Sequence, residues 1–307
     1  KKESASLDFT ELKIPRDYKS DWRKIIMKSL IRSDFYKLRK AKSFWVCMIL
    51  AVALAVFSVL IMDFSVKLMD KVPQQAAQEE AALEESGLNI STDGIPMSSA
   101  DLNASSMLLM QFAGTTTILI SIFVSLFVGG EFSHGTIKNL ASKNYTRTQI
   151  YLSKIIVSVI AAIVMTLLYA IVATGLGTAL WGFGKVDSSF AANACKGIAI
   201  EFLLVSAFTA VFVMFSMLIR QNGGAIATNI FFLEFISLIV MFGEMIINKI
   251  FDTSITLSNY LIDTNMTQIA TSDITGKLAA RSICVAFGFF IVATAIGLVS
   301  FRKRDIK

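Results

Sequence analysis

Residues 150–181 read IYLSKIIVSVIAAIVMTLLYAIVATGLGTALW, and this stretch decides the fold class. Lys154 is its only charged side chain, and it contains no proline. A bilayer core about 30 Å thick is crossed by about 20 apolar residues in a helix, so the stretch is long enough to span a membrane. It is also longer than one crossing requires, and we therefore expect its first residues to project beyond the bilayer.

Five further apolar runs lie on the two sides of this stretch. The 307-residue chain is 54% hydrophobic and only 17% charged, whereas soluble domains carry about 25% charged residues. The charges cluster between the runs, as expected when each run is a helix with its backbone satisfied inside lipid. We therefore predict an all-α integral membrane protein with six transmembrane helices, at about residues 44–62, 107–130, 150–181, 194–219, 225–247 and 278–301.

The positive charges between the runs indicate an orientation. The chain carries 29 Lys and Arg residues and a net charge of +6, and most of these cations lie in residues 1–42, 131–154 and 302–307. Lys and Arg accumulate in the cytoplasmic loops of membrane proteins. We therefore expect a multi-pass protein of a bacterial plasma membrane with both termini in the cytoplasm. The basic balance then belongs to these loops, and no nucleic-acid partner is expected.

The segment before the first run divides into two parts. Residues 1–26 are polar and predict either a cytoplasmic arm or a non-native leader ahead of a natural start at Met27, so that the transmembrane domain covers 27–307. Residues 27–42 place apolar side chains at helical spacing, with basic side chains opposite, which predicts an amphipathic helix in the headgroup layer. Asp34 interrupts the apolar face, and a plain extension of the first span is the alternative. The apolar positions are Met27, Leu30, Ile31, Phe35 and Leu38.

The loop after the second run is the most informative connection. Residues 129–149 read GGEFSHGTIKNLASKNYTRTQ. A short helix is predicted over 136–142, and Thr146 with Gln149 forms a capping box that begins the next span. Such a short helix between two spans either transmits motion from a cytoplasmic partner or is a tight turn without one, and the pattern alone does not decide between them.

Three motifs, two in this loop and one before the first span, resemble those of ABC-2 type permeases. Residues 131–140 (EFSHGTIKNL) resemble the first intracellular loop of that family, and 146–150 (TRTQI) resemble the element that opens its third span. Residues 33–38 (SDFYKL) resemble the amphipathic helix that precedes its first span. The resemblance covers 27–307. It implies the membrane-spanning subunit of an ATP-driven exporter that moves a hydrophobic or amphipathic cargo, such as a peptide, a drug or a lipid, out of the cell.

The same resemblance implies partners. Two permease chains, identical or similar, would form the pathway, and two cytoplasmic ATPase subunits carrying ATP and Mg²⁺ would dock on the short coupling helices. In that arrangement two apolar side chains would enter a groove on the ATPase, with polar side chains at the rim. The residues to which this role is assigned are Glu131, Thr136, Ile137, Lys138 and Leu140.

No nucleotide or metal site is expected in this chain itself. No GxxxxGK[ST] sequence occurs, so the phosphate-binding loop must lie on another chain and no enzymatic activity is expected here. His134 is the only histidine, and the three cysteines, Cys47, Cys195 and Cys284, are far apart in sequence. These cysteines are interpreted as small apolar side chains rather than metal ligands.

Three carboxylates within the predicted spans are pathway candidates. Glu234 falls near the middle of the fifth span, and Glu201 and Glu244 lie nearer span ends. A carboxylate in a membrane is costly and often lines a pathway, although a protonated structural carboxyl is nearly as good an interpretation of Glu234. The alternative function is an ion- or proton-coupled secondary transporter that uses Glu234.

Two outer segments, 63–106 and 248–277, connect the first two spans and the last two spans. We expect the second segment to form a hairpin that dips partly into the membrane.

Overall fold

The computed structural model describes residues 16–71, 103–137, 145–251 and 256–303, apart from positions 106, 113, 134, 187, 189 and 273. These residues form helices and connecting turns, with no strand among them. Six helical segments are long and apolar enough to cross a membrane, as the sequence predicts. The protein is therefore a multi-pass membrane protein of the all-α class.

The helices follow one another along the chain with short connections. A 3₁₀ turn at Leu109–Gln111 precedes α3, a π-helical turn at Ser125–Gly129 follows it, and a second 3₁₀ turn at Ser258–Tyr260 precedes α8. The α-helices are α1 (Arg16–Lys40), α2 (Lys42–Lys71), α3 (Thr115–Val124), α4 (Gly130–Ser133), α5 (Arg147–Trp181), α6 (Phe190–Ile219), α7 (Asn222–Phe251), α8 (Ile262–Thr271) and α9 (Gly276–Lys303).

The second span departs from the continuous helix that its hydropathy predicts. It runs over Leu109–Ser133 and is interrupted at Gly114, whose φ of 76° lies in the left-handed region that glycine adopts at little cost. Further along, the helix widens into the π-helical turn that ends at Gly129. Such turns are rare within α-helices and often lie near functional positions.

Helix α6 forms the centre of the bundle. It packs against α3, α5, α7, α8 and α9, and most of its residues from 204 to 217 are buried. Helix α7 lies at the periphery, with large apolar side chains such as Phe231, Ile239 and Met245 exposed toward the lipid. The core is thus built around α6, and α7 is the least buried of the six spans.

Helix α1 lies against α5 and is followed, after Ala41 alone, by the first span. Leu30 and Leu38 are buried, and the basic residues at 28, 32, 39 and 40 are exposed. Asp34, which the sequence pattern marks as an interruption of the apolar face, is fully buried on that same face. Its burial is explained by a cation on α5, described below.

The segment after α7 runs back alongside that helix. The Ser258 backbone N–H donates to Glu244 (3.0 Å), and the Ser237 hydroxyl donates to Asp263 (3.4 Å). At 1.5 Å per residue, Ser237 lies about 21 Å along the axis from the end of α7. The segment after α7 therefore folds back along that helix, and its depth in the membrane stays a prediction.

Candidate functional site

Two carboxylates and one lysine meet where α1, the second span and α5 come together. The Lys154 ammonium lies 2.7 Å from a carboxylate oxygen of Asp34 and 2.7 Å from one of Glu131. Lys154 and Asp34 are fully buried, and Glu131 is 7% exposed. Three segments distant in sequence are therefore joined through a single cation.

Two further side chains complete this group. Ser153 donates to the second oxygen of Asp34 (2.6 Å), and Lys37 lies 2.9 Å from Glu131. We refer to Asp34, Lys37, Glu131, Lys154 and Ser153 as the charged cluster. Its two cations balance its two carboxylates, which is the condition under which charges can be buried at acceptable cost.

The environment of Lys154 explains how it remains inside an apolar helix. Its ammonium also lies 5.0 Å from the centre of the Phe127 ring, on the π-helical turn of the second span. The electron-rich face of an aromatic ring attracts a cation, more strongly when water is absent. Lys154 thus contacts the second span on the π turn, at Phe127, and just after it, at Glu131.

Glu131 stands where the second span ends and the loop to α5 begins. One of its oxygens accepts from both lysines, and the other has no hydrogen-bond partner among the residues that the structure describes. A buried carboxylate oxygen without a partner is costly, at about 1–3 kcal/mol. The group is therefore held in place by Lys37 and Lys154 while retaining an acceptor for a further donor.

The other end of the loop is fixed to α9. The Arg147 guanidinium donates to the backbone oxygen of Arg302 (2.8 Å), and Arg302 donates to the Thr148 hydroxyl (3.1 Å). The capping box is confirmed, since Gln149 N–H donates to the Thr146 hydroxyl and the Gln149 side chain accepts from Thr146 N–H. The loop is thus anchored to α1 at its start and to α9 at its end.

The structure changes the interpretation of the loop residues. Ile137 is 1% exposed and packs in the protein's own core, so its predicted role as an exposed anchor for a partner does not agree with this arrangement. Glu131 is likewise inside rather than at an exposed rim, because it lies between Lys37 and Lys154. Thr136 is half-buried. Lys138 and Leu140 lie outside the described residues, and their docking role stays a prediction.

The three predicted pathway carboxylates lie in different surroundings and do not form one site. Glu201 is fully buried on α6, and neither of its oxygens has a hydrogen-bond partner among the described residues. Glu244 accepts from the backbone of Ser258. Glu234 is exposed on the lipid-facing side of α7.

Asp263, at the start of α8, is an acidic residue that the sequence analysis did not single out. Burial raises the pKa of its carboxyl above the ordinary value, the hydrogen bond from Ser237 opposes that rise, and the negative charge of Glu234 adds to it. Two acids and a hydroxyl therefore share one region beside α7. The predicted hairpin over 248–277 includes Asp263, but its pattern does not show which side chains it places beside α7.

A second buried polar group lies beside the π-helical turn. The Asn229 amide donates to the Ser125 hydroxyl (2.8 Å), to the Ser216 hydroxyl (3.2 Å) and to the Phe212 carbonyl (3.3 Å). Asn222, at the start of the same helix, lies so close to Gly129 that a Cβ there would fall 2.8 Å from its side-chain oxygen. The end of the second span, the end of α6 and the start of α7 are thus held together by these contacts.

Comparison with known proteins gives one family. A family model described as a protein of unknown function (DUF2705) matches residues 87–307. The match includes Glu131 and Lys154, and it begins after Asp34 and Lys37. No curated protein matches this sequence.

Proposed function

The chain belongs to the DUF2705 family, and we propose that this member is the membrane-spanning subunit of an ATP-driven ABC-type exporter. Its two termini and the 131–149 loop face the cytoplasm of a bacterial plasma membrane. A separate ATPase subunit, holding ATP and Mg²⁺, docks on this loop, and two copies of the chain, or this chain with a similar permease, form the pathway. The cargo is hydrophobic or amphipathic, such as a peptide, a drug or a lipid.

The charged cluster is the observation that carries this proposal. A loop that only reversed the chain would need no ionic contact with two other segments. Here Glu131, the first charged residue of the loop, is held by Lys154 on α5 and by Lys37 on α1. Displacement of the loop by a partner would therefore move α1 and α5 together with the end of the second span.

The charged cluster has a role beyond stabilising the fold in this proposal. Buried ion pairs contribute little net stability, because desolvation of the charges offsets their attraction. Apolar side chains of similar size would hold the three helices together at least as well. Ion pairs, unlike apolar contacts, can exchange one partner for another. Glu131 has one oxygen without a partner and a second lysine, Lys37, beside it, so its ion pairs can rearrange. We infer that the charged cluster couples the loop to the spans in two alternative arrangements.

The docking surface in this proposal is the part of the loop that follows Ile137. With Ile137 packed inside, the apolar contact falls to Leu140, with Lys138 beside it. Burial of one leucine is worth roughly 1.5–3 kcal/mol, which corresponds to a change in affinity of about one to two orders of magnitude at 1.4 kcal/mol per tenfold.

The test is affinity purification of the tagged chain from its native host, followed by identification of an ATP-binding subunit that carries GxxxxGK[ST]. We expect that subunit at a fixed stoichiometry with the wild type and with Leu140→Met, and its loss with Leu140→Asp. Recovery of the ATPase with Leu140→Asp at full stoichiometry would exclude this docking surface. Absence of any ATP-binding subunit from the intact wild-type complex would contradict the proposal itself.

A second candidate function is favoured by the two acids beside α7. Glu234 is exposed at the middle of a span, and Asp263 carries a raised pKa next to it. Such a pair can take up and release a proton, as in a proton-coupled secondary transporter. Efflux that stops with a protonophore and continues after ATP depletion would favour this candidate over the exporter, and the reverse result would exclude it.

A further inference from the structure

A groove of about 670 Å³ opens between α9 and the turn that precedes α8. Its walls are mostly apolar, from Val285, Gly288, Phe289 and Val292, and its volume lies in the range of about 300–1,000 Å³ that is typical of ligand sites. It is separate from the charged cluster, which involves the opposite end of the helix bundle. The groove faces the lipid, since Cys284, Gly288 and Val292, which line it, are exposed.

One cation lies at the end of this groove. Arg281 lines it, and the Arg281 guanidinium donates to the side-chain oxygens of Asn265 (3.3 Å) and Gln268. Both partners are neutral amides, and no carboxylate in the described part of the chain lies within ion-pair distance of Arg281. The amides orient the guanidinium without neutralising it, so the groove combines an apolar wall with a positive charge that no described carboxylate pairs.

The positions of Arg281 and of the apolar wall along the membrane normal match those of the headgroup and the acyl chain of a phospholipid. Arg281 lies five residues after the start of α9, or about 7.5 Å along its axis, close to the end of the span. From Arg281 to Val292 the groove extends about 16 Å toward the middle of the membrane. Tyr260, on the opposite wall, is followed by residues that lie beside Phe289, so it borders the deeper, apolar part of the groove. The polar end and the apolar length are thus ordered as in a phospholipid.

We propose that this groove binds one anionic phospholipid, with its phosphate at Arg281 and an acyl chain along Val285, Gly288 and Val292. Gly288 leaves the wall open where a side chain would fill it, since no atom lies within 4 Å of a Cβ built at that position. The site is independent of the proposed export function, because the argument uses only the groove, its charge and its depth.

The experiment is native mass spectrometry of the purified, delipidated full-length protein titrated with phosphatidylglycerol and with phosphatidylcholine of the same acyl chains. The two lipids share their apolar part and differ in net charge. A basic residue at a membrane surface favours an anionic lipid by about fivefold, and we expect at least that preference for the first bound lipid. Equal affinity for the two lipids would overturn the proposal.

Three variants locate the effect. Arg281→Gln should bring the affinity for phosphatidylglycerol down to that for phosphatidylcholine, and Arg281→Lys should retain most of the preference. Lys277→Gln removes an exposed cation from the same end of α9, outside the groove, and should leave the preference unchanged. A preference that survives Arg281→Gln, or that is lost with Lys277→Gln, would show that the lipid binds elsewhere.

The native cysteines provide a readout that requires no substitution. Cys284 lines the groove and is exposed, and Cys195 is exposed outside it. Bound phosphatidylglycerol should slow alkylation of Cys284 by N-ethylmaleimide and leave Cys195 unaffected, with modification of each site followed by peptide mass spectrometry. Equal rates at Cys284 with and without lipid, or protection of Cys284 by a second copy of the chain in the absence of lipid, would contradict occupation of the groove by a lipid.

Discussion

Replacement of Lys154 by methionine removes the cation on which the charged cluster depends. The side chain is fully buried, and its ammonium contacts Asp34 and Glu131 at 2.7 Å each. After the substitution, Asp34 keeps only the Ser153 hydroxyl and the distant Lys37, at 3.7 Å, while Glu131 keeps Lys37 at 2.9 Å. Two carboxylates would then share one partly exposed lysine.

The magnitude follows from the cost of a buried charge without its partner. Breaking a buried pair by removing one member destabilises a protein by about 3–5 kcal/mol. At about 2–4 °C per kcal/mol, the unfolding temperature should fall on the order of 10 °C. Lys37→Met should cost much less, since the side chain of Lys37 is 31% exposed and solvent screens its pairs.

The assay is thermal unfolding of the detergent-purified protein, followed by size-exclusion chromatography after heating. The matched control is the triple variant Asp34→Asn, Glu131→Gln, Lys154→Met, which leaves no unpaired charge in the interior. It should recover most of the lost unfolding temperature. If Lys154→Met unfolds at the wild-type temperature, or if the triple variant is less stable than the single one, the charges are not paired as described.

Three further predictions concern topology, packing and titration. Single cysteines in a background lacking the native ones should react with an impermeant thiol reagent on intact cells at Lys277 and not at Lys303, and reversed labelling would overturn the orientation. Gly297→Ala should lower the unfolding temperature markedly, because its Cβ would overlap the hydroxyl of the buried Tyr151. Gly243→Ala, with open space around it, should leave the unfolding temperature unchanged, and equal shifts for the two variants would contradict the close packing at Gly297. Since burial raises the pKa of Asp263, the free energy of unfolding should fall as pH rises from 3.8, the ordinary value, through the raised pKa. Asp263→Asn should remove this pH dependence of the unfolding temperature, and an unchanged profile would show that the group does not titrate there.

The six spans could be predicted because the requirement that produces them is local. A run of about 20 apolar residues must be helical in lipid whatever surrounds it. The capping box at Thr146 and Gln149 was predictable for the same reason, since its donors and acceptors lie three residues apart. The break at Gly114 was not, because a glycine in an apolar run does not by itself show that it adopts a positive φ.

The charged cluster depends on contacts between distant segments, which hydropathy does not record. Asp34 was visible as a charge on an apolar face, and Lys154 as the only charge in a long apolar run. An isolated charge in either place is costly, but the sequence analysis did not connect the two residues, because nothing in the sequence shows that α1 packs against the start of α5. The burial of Ile137 could not be predicted, since it depends on packing against helices that are distant in sequence.

The proposed export function requires contact between the 131–149 loop and a cytoplasmic ATPase. Photo-cross-linking in living cells tests that contact directly, with p-benzoyl-phenylalanine placed at Leu140 and, as the control on the opposite side of the membrane, at Lys185. We expect an adduct between position 140 and an ATP-binding subunit, and no such adduct from position 185. An adduct from position 185 alone, or none from position 140 in cells that express the full complex, would contradict it.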